Sequence, residues 1–517
     1  MSTARTSAVA LHGVSASLVE VEADLGNGIP GFTILGLPDA SLNEARERIK
    51  AAARNTGIPL ANRKLTVNLS PATLPKYGSG FDLAILVAAL AADHQLPTSP
   101  STLYLAELGL DGTLRAVSGV LPAVQLAKEH GLDRVIVAEA NGNEARLVEG
   151  IEVKSARHLG QVLEFCGARK ELITMRLHHP APAAARAQSI LASASHDEAD
   201  LQLVNGQQEA RLALELAAAG GHHLIMVGPA GAGKTMLAKC LPTIIPPLDD
   251  SQALEATAVH SITSGAMNEV NQLQRTPPFV APHHTSSLSA LIGGGTAQLI
   301  PGAITRAHHG ILFLDEAAQF NTGVLDALRQ PIEEGYINLA RARGHHRLPA
   351  RFQLVLASNP CPCGRNFGTG TGCTCTPMAR RRYFARLSGP ILDRVDLQVR
   401  VNPVHQSQLL STTQNESSAI VRERVRTTRE RSQERLRPFA ISCNAQIPTQ
   451  ILRHELRYPA KTKAALEQLA ARRGLSARGI HRLLRVAWTV ADQQQHAAPT
   501  EDDLAVAAHL RQSLENS

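Results

Sequence analysis

Eight consecutive residues, Gly228, Pro229, Ala230, Gly231, Ala232, Gly233, Lys234 and Thr235, have the types and spacing to grip a polyphosphate. They form a glycine-rich turn closed by a lysine and a hydroxyl side chain. The apolar run 224–227 precedes them and a helix is expected over 236–241. The turn therefore lies between a buried strand and a helix start, as a phosphate-binding loop must. Glycines let successive backbone N–H groups converge on phosphate oxygens, and the helix N-terminus adds favourable charge. Lys234 is then placed to meet the β- and γ-phosphates of ATP, and the Thr235 hydroxyl to ligate Mg2+.

A second set of reactive side chains lies downstream. The apolar run 310–314 ends in Asp315 and Glu316. Asp315 suits the Mg2+ shell, and Glu316 suits a general base that polarises an attacking water. The plainer alternative is a pair of acids capping the next helix. A third apolar run, 352–358, leads into Asn359, whose amide can orient that water. Three strands ending in chemistry fit the tendency of open α/β sheets to bind ligands at their carboxyl edge. In its order of loop, acid pair and asparagine the chain resembles the AAA+ ATPases.

That resemblance implies two arginines. Residues 392–397, with Arg394, resemble the finger motif of the magnesium-chelatase and MCM branch, in which the guanidinium reaches the nucleotide of the neighbouring subunit. There it stabilises charge that develops on the γ-phosphate. Residues 475–479, with Arg478, resemble the start of a lid helix carrying the sensor-2 arginine, and Arg482 competes for that role. A surface salt bridge is the plain alternative for either. A finger donated across an interface implies a ring of copies.

Further segments narrow the resemblance. Ala281-Pro282-His283-His284-Thr285, Leu291-Ile292-Gly293-Gly294-Gly295 and Pro301-Gly302-Ala303-Ile304 precede the acid strand, and Pro360-Cys361-Pro362-Cys363-Gly364 follows Asn359. Asn205-Gly206-Gln207-Gln208 resembles an adenine-flanking segment. Together these are similar to the magnesium-chelatase-like ATPases of the ComM (YifB) type. The resemblance implies a hexameric, DNA-dependent ATPase that drives branch migration during recombination of DNA entering naturally transformable bacteria, with single-stranded or branched DNA as partner. The alternative is a chelatase-type motor that remodels a protein partner for metal insertion. Both share the ATP site.

Two other constellations carry chemistry. Cys361, Cys363, Cys373 and Cys375 are two C-x-C pairs around a Gly/Thr-rich loop, enough thiolates for a closed, structural Zn2+ site. Four reduced thiols are the alternative. Residues 337–348 alternate and turn at Gly344, a hairpin with a basic tip. In the resembled family such a hairpin enters the ring pore, so Arg341, Arg343 and Arg347 are candidates to hold the sugar–phosphate backbone without sequence preference. The helix expected over 422–437 mixes Arg and Glu and reads as a solvated face. The His283–His284 pair lacks acids at ligand spacing.

These groups need scaffolds, and 517 residues allow two to four domains. The expected division is an N-terminal unit (1–170), a Pro/Ala-rich linker (178–197), an α/β ATPase core (200–402) and a helical lid (419–517). The expected fold class is α/β: an AAA+ P-loop core with a C-terminal helical lid and an N-terminal α+β unit. That unit resembles a Lon-protease-like domain around residues 75–82. Gly80 falls where proteolytic members have serine and Leu121 where they have lysine, which argues against peptide hydrolysis. Lys64, Lys76 and Arg63 there are weighed as phosphate contacts against solvated side chains. Net charge is +7, a mild bias toward polyanions. The longest apolar run, 83–92, is too short for a bilayer. With no secretory signal pattern and seven cysteines that suit a reducing compartment, a cytoplasmic protein without membrane contact is expected.

Overall fold

The computed structural model describes residues 2–36, 39–58, 60–74, 76–97, 100–169, 199–263, 270–295, 299–341, 344–367, 372–387, 389–403 and 415–511. The expected linker at 178–197 lies outside them, as does Arg343.

The chain begins with a long antiparallel hairpin, Ser2–His12 paired with Ser15–Gly26 from Ser2↔Leu25 to His12↔Ser15. The first of these strands carries little sequence signal because its buried face consists of the small residues Ala4, Thr6, Ala8 and Ala10. Five further strands extend the hairpin to a seven-stranded mixed sheet. The helix Asp82–Ala92 is buried at every position and packs on the hairpin, with the Thr6 hydroxyl donating to the Ala84 carbonyl at 2.9 Å.

No serine–lysine pair forms here among the described residues. The Ser79 hydroxyl donates to Glu107, while Lys76 is 1 % exposed and gives its ammonium to the carbonyls of Pro71 and Leu74 at 2.5 and 3.1 Å. Lys76 is therefore neither a phosphate contact nor a solvated side chain, the two readings its sequence left open. Leu121 is buried, and its N–H donates to Glu144 Oε1 at 2.8 Å.

The middle of the chain folds around a five-stranded parallel sheet in the order Phe279–Val280, Ile311–Leu314, Gln353–Ser358, Leu224–Val227, Leu397–Arg400. The strands from Ile311 onward and from Leu224 are buried at every position but Arg400, which explains the unbroken apolar runs 311–314 and 224–227. The strand ending at Ser358 lies between the one that feeds the phosphate loop and the one that ends in the acid pair. That insertion brings Asn359 between them.

Helices from Ser418 onward cover the core. The Ser418–Leu436 helix is not the solvated face its composition suggests. Val421, Val425, Thr428 and Leu436 are buried, Arg424 pairs with the buried Glu215, and Arg429 donates to the Ala218 carbonyl. Only Arg426, with Glu423 and Glu430, makes the expected surface pairs. The helix Ala477–Gln493 is fastened to the sheet by buried polar groups. His222 meets Thr489 at 2.7 Å and Asp396 at 3.4 Å, and Arg482 meets Asp396 at 2.8 Å. Burial alone would raise the Asp396 carboxyl, but His222 and Arg482 hold it far below the usual carboxylate range.

Two inward-packed histidines, His308 buried and His223 half-buried, make the fold acid-sensitive. Burial lowers His223 and His308 from 6.5 to about 4, and each accepts a backbone N–H at Nδ1, from Leu354 and Arg351. A depressed histidine contributes its stability above the unfolded value and loses it as pH falls toward the folded one. Urea midpoints should therefore drop between pH 7 and pH 5 by the equivalent of roughly 2 kcal/mol per histidine. Midpoints that stay level over that range would exclude this.

Candidate active site

The phosphate loop follows Val227 directly, and the helix Lys234–Ile244 begins at its lysine, two residues earlier than expected. A side chain at Gly228 is impossible because its Cβ would lie 2.1 Å from the Val401 carbonyl oxygen. Gly231 and Gly233 take positive φ, and a Cβ on either would meet nothing within 4 Å, so the loop forms an open cradle. A cleft of about 370 Å³ is lined by Ala230, Gly231, Ala232, Gly233, Lys234, Thr235, Asp315, Glu316, Ser358 and Asn359, among others.

Parallel register sets the height of each group. Val227 is level with Ser358, and Leu314 with Leu356, so the loop, Asp315 and Asn359 all emerge at the carboxyl edge. Lys234 donates to the carbonyls of Gly228 and Pro229 at 2.7 and 2.8 Å and to Asn359 Oδ1 at 3.2 Å. Burial lowers its pKa, and Asp315 and Glu316 oppose that shift. Thr235 Oγ1 donates to Asp315 Oδ2 at 2.8 Å. A hydroxyl and a carboxylate in contact form the hard oxygen set a Mg2+ ion takes beside phosphate. The buried ammonium, held by carbonyls in an open cradle, and this oxygen pair fit MgATP.

Glu316 has φ +52°, a strained conformation for a residue with a side chain. Its carboxylate lies 3.4 Å from His284 Nδ1, at the start of the segment that leaves the edge strand Phe279–Val280. This contact is not legible from spacing, because the two residues, 32 positions apart, are brought together only through parallel pairing of Val280 with Leu312.

The arginines lie elsewhere. Leu397 pairs with Leu224, so Arg394 stands before the amino edge, with about 10 Å of strand between it and the phosphate loop. It is 5 % exposed and meets Glu333 at 2.6 Å. Arg478 approaches the same Glu333 at 3.8 Å and is 64 % exposed. Arg482 is taken up by Asp396 and the Arg394 carbonyl, which leaves Arg478 as the more exposed guanidinium of the two. Arg394 and Arg478 thus share one face of the molecule, on the edge opposite their own cleft.

The basic hairpin pairs Tyr336–Arg341 with Gly344–Pro349. Gly344 pairs with Arg341 and so belongs to the second strand rather than to the turn expected at that residue. Arg341 donates to the Gly295 carbonyl, and Arg347 is exposed and stacks on Tyr336 at 3.7 Å. The turn of the first hairpin docks nearby: a Cβ on Gly13 would sit 2.8 Å from a Leu348 methyl.

Four sulfurs converge beyond Asn359. Cys361 lies 3.4 Å from Cys363 and 3.7 Å from Cys373, Cys363 lies 3.7 Å from Cys373, and Cys375 completes a set within 4.8 Å.

Known proteins share this chain's pattern along most of its length. Residues 200–409 match the family described as magnesium chelatase, subunit ChlI. Residues 21–141 match subunit ChlI of Mg-chelatase, and residues 415–511 match its C-terminal part. An uncharacterised protein of Mycobacterium tuberculosis is 44 % identical over 518 residues, covering 99 % of each chain. Competence protein ComM of Haemophilus influenzae is 41 % identical, covering 96 % of this chain and 95 % of its own. Protein YifB of Escherichia coli is 39 % identical, covering 97 % and 94 %. No described helix is long and apolar enough to cross a membrane.

Proposed function

Because this chain belongs to the ComM (YifB) group of magnesium-chelatase-like AAA+ ATPases, we propose that it is a ring-shaped ATP-driven motor that moves DNA strands and promotes branch migration during recombination. One observation carries the motor reading. The groups that bind and cut ATP lie at one edge of the sheet, and the two arginines that should stabilise the cleaved phosphate lie at the other. That separation supports a reading in which each cleft is completed by the next copy around a closed assembly.

The steps follow from the residues. Loop N–H groups and Lys234 hold the β- and γ-phosphates, Lys234 exchanging its carbonyl partners for phosphate oxygens. Thr235 and Asp315 would hold the Mg2+ ion, which when bound would supply positive charge against the phosphates. Glu316 accepts the proton of a water that the Asn359 amide orients. Arg394 and Arg478 of the adjacent copy meet the charge that develops as the bond to the γ-phosphorus breaks. Release of Arg394 from Glu333 accompanies that engagement.

DNA is the substrate favoured by the likeness to a competence protein and by the exposed Arg347 with Arg341 on the hairpin. ATP hydrolysis should rise with single-stranded or forked DNA, and that rise should shrink by about tenfold or more between ~50 and ~200 mM salt. Indifference to DNA at low salt would instead favour the chelatase-type motor that remodels a protein partner.

A further inference from the structure

We infer that Cys361, Cys363, Cys373 and Cys375 hold one structural Zn2+ ion, and that this ion fixes the position of Asn359 over the phosphate loop. A tetrahedral site with Zn–S bonds of about 2.3 Å requires sulfurs about 3.8 Å apart. Three of the separations here are 3.4, 3.7 and 3.7 Å, and the fourth sulfur lies within 4.8 Å of each of the others. A disulfide needs sulfurs about 2 Å apart, and all four cysteines are free.

A backbone donor already faces the cluster: the Asn366 N–H donates to Cys361 Sγ at 3.3 Å. Packed thiolates repel one another unless a cation lies among them. Soft sulfur ligands in a tetrahedral set select Zn2+ over the hard Mg2+ of the nucleotide cleft. With all four positions filled by protein, the ion has no open site for chemistry. The other converging group, Glu255 with His308 and His309, is a different case. His308 Nδ1 accepts the Arg351 N–H at 3.1 Å, so its proton sits on Nε2, facing Glu255. That histidine is a donor rather than a ligand.

The clamp reaches the ATP site by short covalent paths. Cys361 is two residues beyond Asn359, and Gly364 of the same loop lies over Ala230 N and Asn359 Cγ, each 3.9 Å from where its Cβ would be. Cys375 is two residues before the helix Pro377–Ala385, which is capped by Thr376. On that helix, Tyr383 meets the Ser358 hydroxyl at 3.4 Å, and Arg380 donates to Asn366 at 2.8 Å. One ion therefore ties both flanks of Asn359, the residue that contacts Lys234.

The metal content of the purified full-length protein tests the site without reference to ATP. About one Zn2+ per chain is expected, lost in Cys361→Ser and Cys375→Ser. Growth with cobalt should yield the strong visible absorption of tetrahedral thiolate coordination, a readout that needs no variant. Wild-type protein with four freely titrating thiols and no zinc would overturn the site. The positioning clause rests on the ATPase reading. Zinc-stripped protein of unchanged circular dichroism should bind a fluorescent ATP analogue normally and hydrolyse ATP about 10- to 100-fold more slowly. Full-rate hydrolysis by that protein, with Asn359→Ala impaired, would overturn the clamp alone. If Asn359→Ala also runs at full rate, the sensor role itself is refuted.

Discussion

Glu316→Gln is expected to bind ATP as tightly as the unaltered protein and to hydrolyse it 10²- to 10⁴-fold more slowly, the range for loss of a general base. The amide keeps the size and the contact with His284 but cannot accept the water's proton. Lys234→Ala should lose binding itself. Its ammonium is 8 % exposed and is held beside the cradle by two carbonyls and Asn359. Two charge-assisted bonds to phosphate at about 1.5–3 kcal/mol each amount to a 10²-fold or greater loss of affinity. Isothermal titration with ATP and a phosphate-release assay separate the two outcomes. Normal hydrolysis by Glu316→Gln would remove it from the chemistry, and normal ATP affinity in Lys234→Ala would move the nucleotide elsewhere.

Arg394→Ala should assemble, bind ATP and hydrolyse it about 10³-fold more slowly or worse, as expected for a missing finger. Mixing it with Glu316→Gln should then restore turnover although each variant alone is inactive. Random 1:1 rings would join an intact Glu316 to an intact Arg394 at about one interface in four, so about a quarter of full activity is expected. Arg394 also pairs with Glu333, so the control is equal assembly of both variants by mass photometry. If mixed rings form and stay inactive, Arg394 does not act across the interface.

The cleft was legible because its chemistry lies at the ends of apolar runs that could only be buried parallel strands. The Gly228–Thr235 loop, Asp315, Glu316 and Asn359 meet where those runs end. Contacts made by strand order were not legible. His284 reaches Glu316 because an edge strand pairs with the acid strand. Arg394 meets Glu333 because their segments return to the same edge of the sheet. Composition misled wherever polar residues do internal work. The Ser418–Leu436 helix reads as solvated, yet Arg424 and Arg429 reach buried partners, and Lys76, open to reading as a phosphate contact or a solvated side chain, lies buried on carbonyls. The first strand escaped notice because small side chains leave no hydrophobic period.

On the proposed reading, Lys234 and Glu316 on one edge and Arg394 and Arg478 on the other would make each catalytic centre the joint property of two copies. The most direct test is the ATPase rate per chain measured across a dilution series, with particle mass recorded at each concentration. Specific activity should collapse as rings fall apart into single chains. Undiminished hydrolysis by isolated chains would contradict a shared site and the coupled motor built on it.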